Sequence, residues 1–217
     1  MQDLRIPVPA GEVGGSVFGS GRTVIVLGHG AGGNRHNPQL VRFAESLAAT
    51  GRRVLLYDFP YTDRGRRAPD PPDVLEATTR AVGDFARASL GAAQLVHGGR
   101  SMGGRIASQA VAAGAPAHGL VFLGYPLHPP GKPGQLRDRH LPRIEAPMLF
   151  VQGTRDTFAR PDLLDAVLGR LGGKATLHRV EGGDHSLAVL KRSGRTGTEV
   201  EAEVERVILG WLDRQGL

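Results

Sequence analysis

Three residues of complementary chemistry stand where buried strands are expected to give way to turns: Ser101 in GRSMG (99–103), Asp156 in GTRDTF (153–158) and His185 in GGDHSL (182–187). A serine hydroxyl is a poor nucleophile at neutral pH. It attacks a carbonyl only when an imidazole takes its proton and a carboxylate orients that imidazole. The chain order Ser, Asp, His is the one found with a nucleophile elbow on a parallel sheet. An elbow lifts its serine out of the sheet through a cramped turn, which explains a glycine on each side of Arg100-Ser101-Met102. The small-residue helix expected next, MGGRIASQAVAAG, points its free N–H groups at the same place. Asp184 is an alternative orienting carboxylate, but neighbouring loop residues usually diverge, so Asp156 ranks above it. Asp156 alone could be an ordinary turn or cap residue. The argument rests on three matched residues at three strand ends.

Acyl transfer also needs two preorganised donors for the developing oxyanion. The Met102 amide, directly after Ser101, is one candidate. The stretch GHGAGGN (28–34) offers the Ala31 amide as the other, with Gly32 as its substitute. His29 is expected to brace this loop, together with Gly30 and Gly32. The same glycines (Gly28, Gly30 and Gly33) spell GxGxxG, and Asp58 ends the next strand, which makes dinucleotide binding a rival reading. Against it, Asn34 to Pro38 intervene before any helix, and the reading leaves Ser101, Asp156 and His185 unexplained. The remaining histidines have no metal-ligand spacing such as HExxH, so neither a metal nor a cofactor is expected.

The elements that must position these residues alternate strand and helix. A hairpin-like start (4–8, 15–18) precedes an apolar strand over 23–28. Asn37 then caps a helix with Pro38 at its first position. Strands follow at 52–57, 94–98, 119–124, 147–153 and 174–180. Residues 62–73 read as a loop, ending at Asp73 as the cap of a long helix whose buried stripe is Val74, Thr78, Ala81, Val82, Phe85 and Ser89. Further helices are expected over 102–113, 161–171 and 198–213. The last of these buries Val200, Val204, Val207, Ile208, Trp211 and Leu212. This pattern predicts one α/β domain over 1–217, with a mostly parallel central sheet covered on both faces and its site at the carboxyl ends of the strands.

Composition narrows the function classes. The chain has 217 residues, no cysteine, and 40% hydrophobic and 22% charged residues, which fits a globular domain and removes disulfides and thiolate chemistry. Its apolar runs are too short to span a bilayer. The opening MQDLRIPVPAGE lacks the charged and apolar regions of a secretory signal, so a cytoplasmic location is expected. The net charge of +6 raises nucleic acid as a partner. Of the 27 basic residues only Lys132, Lys174 and Lys191 are lysines, so the other 24 are arginines, dispersed along the chain. With 5% aromatics there is little to stack bases on, and nucleic acid ranks last among the readings.

HGAGGN, GGRSMGGR, GTRD and GGDHSL together resemble the α/β-hydrolases. More narrowly, the chain resembles the small lidless hydrolases related to dienelactone hydrolases and to the hydrolase-like subunit of a eukaryotic histone acetyltransferase complex. The resemblance implies an α/β-hydrolase fold. It also implies Ser101 as nucleophile, Asp156 as acid, His185 as base, and the Ala31 and Met102 amides as oxyanion hole. Dienelactone hydrolases use a cysteine nucleophile, and this chain has none, so their particular chemistry is not carried over. Only 22 residues separate Gly124 from Pro147, where α/β-hydrolases often insert a helical lid. No substantial lid is expected, which points to small soluble acyl substrates rather than long-chain lipids. Arg100 and Tyr125, at strand ends beside the site, are candidate substrate contacts, and the nearby arginines would favour an anionic substrate. The competing class is a noncatalytic interaction module on the same fold. The sequence leaves the oligomeric state open.

Overall fold

The computed structural model describes residues 1–217. Eight strands form one sheet: β1 (Gln2–Val8), β2 (Gly11–Phe18), β3 (Thr23–Gly28), β4 (Arg53–Tyr57), β5 (Gln94–Arg100), β6 (Gly119–Leu123), β7 (Met148–Gly153) and β8 (Ala175–Val180). Their order is β1-β2-β4-β3-β5-β6-β7-β8. β1 and β2 pair antiparallel, as do β2 and β4, and every other neighbour is parallel. The inner parallel strands β3, β6 and β7 are near-continuous apolar runs because helices bury both of their faces. Helices α1 (Pro38–Ala49) and α6 (Gly197–Arg214) cover one face, packing Phe43, Leu47 and Trp211 against Ile25, Leu56 and Val121. α3 (Pro72–Ala88), α4 (Met102–Ala112) and α5 (Pro161–Leu171) cover the other, over Val24, Val26, Leu95, Phe122 and Phe150. The remaining α-helix, α2 (Pro60–Asp63), is a single short turn.

Local signals set the helix ends. The Asn37 side chain accepts from the Gln39 and Leu40 amides at 3.1 and 3.2 Å, and Pro38 opens α1. α6 begins in a capping box, Thr196 with Glu199. Three expectations are corrected. Asp73 is not a cap: the cap is Pro71, two residues earlier, with α3 starting at Pro72, and Thr62 and Asp63 belong to α2 rather than to the loop. The buried stripe of α3 is Leu75, Thr78, Thr79, Val82 and Ala86, with Val74 only half-buried and Ser89 exposed. Both stripes fit a 3.6-residue period. Thr79 is polar yet buried because its hydroxyl meets Tyr57 Oη at 2.9 Å.

His97 lies within β5, fully buried, with neither ring nitrogen in a well-formed hydrogen bond. Burial pulls its pKa down to about 4, the nearby Pro116 carbonyl offsetting only part of that. His140 is also pulled down to about 4, by burial and by Arg105 and Arg143. Between the ordinary histidine value near 6.5 and about 4, the unfolded chain binds protons that the folded chain refuses. The stabilisation these neutral rings provide is therefore complete above about pH 6.5 and declines as pH falls toward 4, by at most about 1.4 kcal/mol per pH unit for each ring. Urea unfolding from pH 7.5 to 4.5 should show this loss, and His97→Leu should reduce its slope. An unchanged slope in His97→Leu would exclude His97 as a source.

Candidate active site

At the carboxyl end of β5 the chain turns through Ser101 directly into α4. Ser101 has φ 51° and ψ −116°, a positive-φ conformation that a side-chain-bearing residue adopts only under constraint. Its amide donates to the Leu123 carbonyl at 3.0 Å, and its carbonyl accepts from Arg105 N at 3.1 Å, so the turn is fixed on both sides. The half-buried Ser101 hydroxyl projects from this turn, 2.7 Å from His185 Nε2.

His185 comes from the loop after β8, and its Nδ1 lies 2.7 Å from Asp156 Oδ2. Asp156, in the turn after β7, is nearly fully buried. Its Oδ2 also accepts from the Gln152 amide nitrogen, and its Oδ1 accepts from Phe158 N at 2.7 Å. The structure thus brings Ser101, His185 and Asp156 into one hydrogen-bonded chain. With the carboxylate on Nδ1, that nitrogen carries the proton and Nε2 is left free to accept from the serine. Asp184 turns away: its Oδ1 accepts from Ser186 N at 2.7 Å and Ala188 N at 3.1 Å, shaping the loop instead.

The loop after β3 faces Ser101 from the other side. Gly30 comes close enough that a Cβ there would lie 3.6 Å from Ser101 Cβ. The Gly32 amide is spent on Tyr61 Oη at 3.2 Å, whereas the Ala31 amide has no acceptor in the protein. Met102, the first residue of α4, has no intrahelical acceptor for its N–H. His29 is buried under this loop. Its Nδ1 donates to the Gly30 carbonyl at 2.8 Å, and its Nε2 accepts from Phe59 N at 3.3 Å, which defines a neutral ring. Burial lowers its pKa against the opposing pull of that carbonyl and of Asp58. The ring packs edge-on to Phe59 at 5.1 Å, so it holds the loop's shape.

Tyr125 requires a correction: it is fully buried, with its hydroxyl donating to the Arg137 carbonyl at 2.8 Å, and it does not face the site. Its position two residues beyond the end of β6 suggested a surface that the 124–147 segment in fact covers. Arg100 does stand beside Ser101. Two neighbours escaped the sequence reading. Gln152 holds Asp156 and also accepts the Tyr125 amide at 2.8 Å. The Phe158 ring stacks on His185 with centroids 4.1 Å apart. Neither residue type is diagnostic in a sequence, and only their contacts mark them.

The dinucleotide reading does not fit this geometry. α1 begins at Pro38, and the Asp58 carboxylate is occupied by the Arg35 guanidinium and by Arg35 N at 2.7 Å. Residues 124–147 contain only a single 3-10 turn (Leu141–Arg143), so no helical lid covers the site. No set of three or more His, Cys, Asp or Glu side chains is grouped to hold a metal ion, and no helix is long and apolar enough to cross a membrane.

Comparisons with known proteins agree with this architecture. A family model described as an alpha/beta hydrolase domain matches residues 21–213. A lidless a/b serine hydrolase from Xanthomonas campestris is similar in structure, with TM-score 0.77 and 20% identity over 98% of this chain and 94% of that one. A dienelactone hydrolase from Anabaena variabilis gives TM-score 0.77 and 20% identity over 98% and 97% of the two chains. An esterase from Pyrococcus furiosus gives TM-score 0.74 and 17% identity over 98% and 89%. At these identities the structural likeness is one of fold.

Proposed function

The chain belongs to the alpha/beta hydrolase family, and we propose that it is a serine hydrolase that cleaves small carboxylic esters or related acyl compounds through an acyl-enzyme on Ser101. The observation that carries this reading is the chain of two 2.7 Å contacts from Ser101 Oγ through His185 to Asp156. Ser101 Oγ attacks the ester carbonyl carbon while His185 Nε2 takes the hydroxyl proton. The Ala31 and Met102 amides receive the negative charge that develops on the carbonyl oxygen. Protonated His185 then gives its proton to the alkoxide, which leaves as the alcohol. Water, deprotonated by the same nitrogen, attacks the acyl-enzyme and releases the acid, restoring Ser101. Asp156 keeps the proton on Nδ1 throughout. Gln152 and the Phe158 amide hold the carboxylate in place. Phe158 limits the imidazole to one plane by stacking. The absence of a helical cover favours short, water-soluble acyl groups over long-chain lipids.

A fluorophosphonate probe tests the reading, because it reacts only with a serine whose proton can be taken. Wild-type protein should be labelled, and Ser101→Ala and His185→Ala should not. A folded wild-type protein that stays unlabelled would sink the proposal.

A further inference from the structure

We infer that Arg100 binds a carboxylate or similar anionic group of the substrate, so that the preferred substrates of this site are acyl esters carrying a negative charge a short chain away from the scissile bond. This rests on the hydrolase reading of Ser101 and extends it to a substrate class.

The Arg100 guanidinium lies at the mouth of the site. Its Nη1 is 3.3 Å from the point a Cβ on Gly30 would occupy, and Ser101 Cβ is 3.6 Å from the same point, so cation and nucleophile border one short stretch of backbone. The residue is only partly accessible, and burial draws its pKa below that of a free guanidinium. Yet no carboxylate lies within ion-pair distance, and its one side-chain hydrogen bond goes to a neutral atom, Ser186 Oγ at 2.6 Å. A guanidinium has five N–H donors, and desolvating it without an anion costs free energy that surface arginines do not lose.

The nearby carboxylates cannot supply that anion. Asp156 is committed to His185 and Gln152, and Asp184 to the Ser186 and Ala188 amides. Arg100 opens instead onto a cleft of about 270 Å³ between the start of α1 and the His185 loop. The other charges there cancel, since Arg42 binds Glu201 through both nitrogens at 2.8 and 2.5 Å. The amino-terminal end of α1, at Asn37 to Gln39, also lines the cleft and adds to its positive potential. No carboxylate of the cleft is left to pair directly with this guanidinium, since Asp184 and Asp156 act on it only from beyond ion-pair distance, and the planar fork of arginine matches a carboxylate. Arg53, Arg80, Arg105 and Arg137 are also half-buried without a carboxylate partner, but Arg53, Arg80 and Arg137 donate to backbone carbonyls, the Arg105 Nε is enclosed beside Tyr125 and His140, and none of the four lines this cleft.

The alternative role for Arg100 is to hold Ser186 and thereby the His185 loop. Two matched pairs of esters separate the roles: 4-nitrophenyl hexanoate against the 4-nitrophenyl monoester of adipic acid, and phenyl acetate against 4-carboxyphenyl acetate. The pairs place the charge on the acyl chain or on the alcohol, and spontaneous hydrolysis is subtracted. The readout is the ratio of kcat/KM, charged over neutral. In the wild type at least one pair should favour the charged ester by about tenfold or more, as a charge-assisted hydrogen bond would give. Arg100→Gln should bring that ratio to one or below, Arg100→Lys should keep part of it, and added salt should reduce it. A ratio near one in wild type for both pairs, or a ratio unmoved by Arg100→Gln, overturns the inference while leaving the hydrolase reading intact. Failure of the wild type both to label with fluorophosphonate and to cleave any of the four esters removes the hydrolase reading, and this inference with it.

Discussion

Ser101→Ala and His185→Ala are each expected to lower kcat/KM for a neutral aryl ester by about 10⁴- to 10⁶-fold, with little change in unfolding midpoint. The losses should be far from additive, because the two side chains act as one proton-transfer unit: the double variant should be no slower than either single one. Ser101 allows a second reading of the same site through stability. Its φ of 51° is paid for by the fold, a cost of about 1–3 kcal/mol for a non-glycine residue. Ser101→Ala keeps that strain and Ser101→Gly releases it. Glycine gives back about 0.4–1 kcal/mol through the freedom of its unfolded chain. Ser101→Gly should therefore be more stable than Ser101→Ala by about 1 kcal/mol and equally inactive. Urea unfolding of both variants checks the first claim and ester hydrolysis the second. If Ser101→Gly proved the less stable of the pair, the elbow would not be the strained element it is taken for here.

The parts of this fold that were legible in the sequence are those whose side chains can be satisfied in only one way. Runs such as TVIVLG and MLFVQG are apolar on both faces, which only a strand covered on both sides accommodates. Asn37-Pro38 and the Ser101 turn carry their backbone geometry in the residue types themselves. Where two solutions shared one period, the sequence did not choose between them. The stripe of α3 could be rotated by a residue, and the choice was made by Thr79 finding Tyr57, a partner 22 positions away. The same holds in the site. Ser101, Asp156 and His185 are chemically conspicuous, but Gln152 and Phe158 act through contact alone. Tyr125 looked available because it ends a strand at the right edge. It is buried because residues 126–147 fold back over it, with Leu127, Leu141 and Ile144 joining its core.

Gly103 gives the sharpest contrast between what local propensity and packing demand. It occupies the second position of α4, where alanine is intrinsically better than glycine by about 1 kcal/mol, so propensity alone predicts that Gly103→Ala stabilises the protein. Packing predicts the reverse. A Cβ at Gly103 would lie 2.2 Å from the Gly28 carbonyl oxygen, 2.4 Å from its carbon and 2.8 Å from the His29 carbonyl oxygen. All three are backbone atoms, at the end of β3 and in the loop that carries Gly30 and Ala31, so no side chain can rotate away. Relief requires the start of α4 to lift off β3, and that movement carries Ser101 and the Met102 amide away from the Ala31 amide. Gly103→Ala is therefore expected to destabilise by about 3 kcal/mol or more. Because misplacing reacting groups by about 1 Å can cost about 10²-fold, whatever folds should also have lost at least that much kcat/KM. Gly169, inside α5, is the control, since a Cβ there would meet nothing within 4 Å. Gly169→Ala should stabilise by about 1 kcal/mol and leave kcat/KM unchanged. Opposite signs from one substitution at two helical glycines, read by urea unfolding, would place the constraint in the contact between α4 and β3. Equal signs would mean that α4 can move off β3 freely, and the close seating of the elbow against the Gly30 loop would not be what holds the site together.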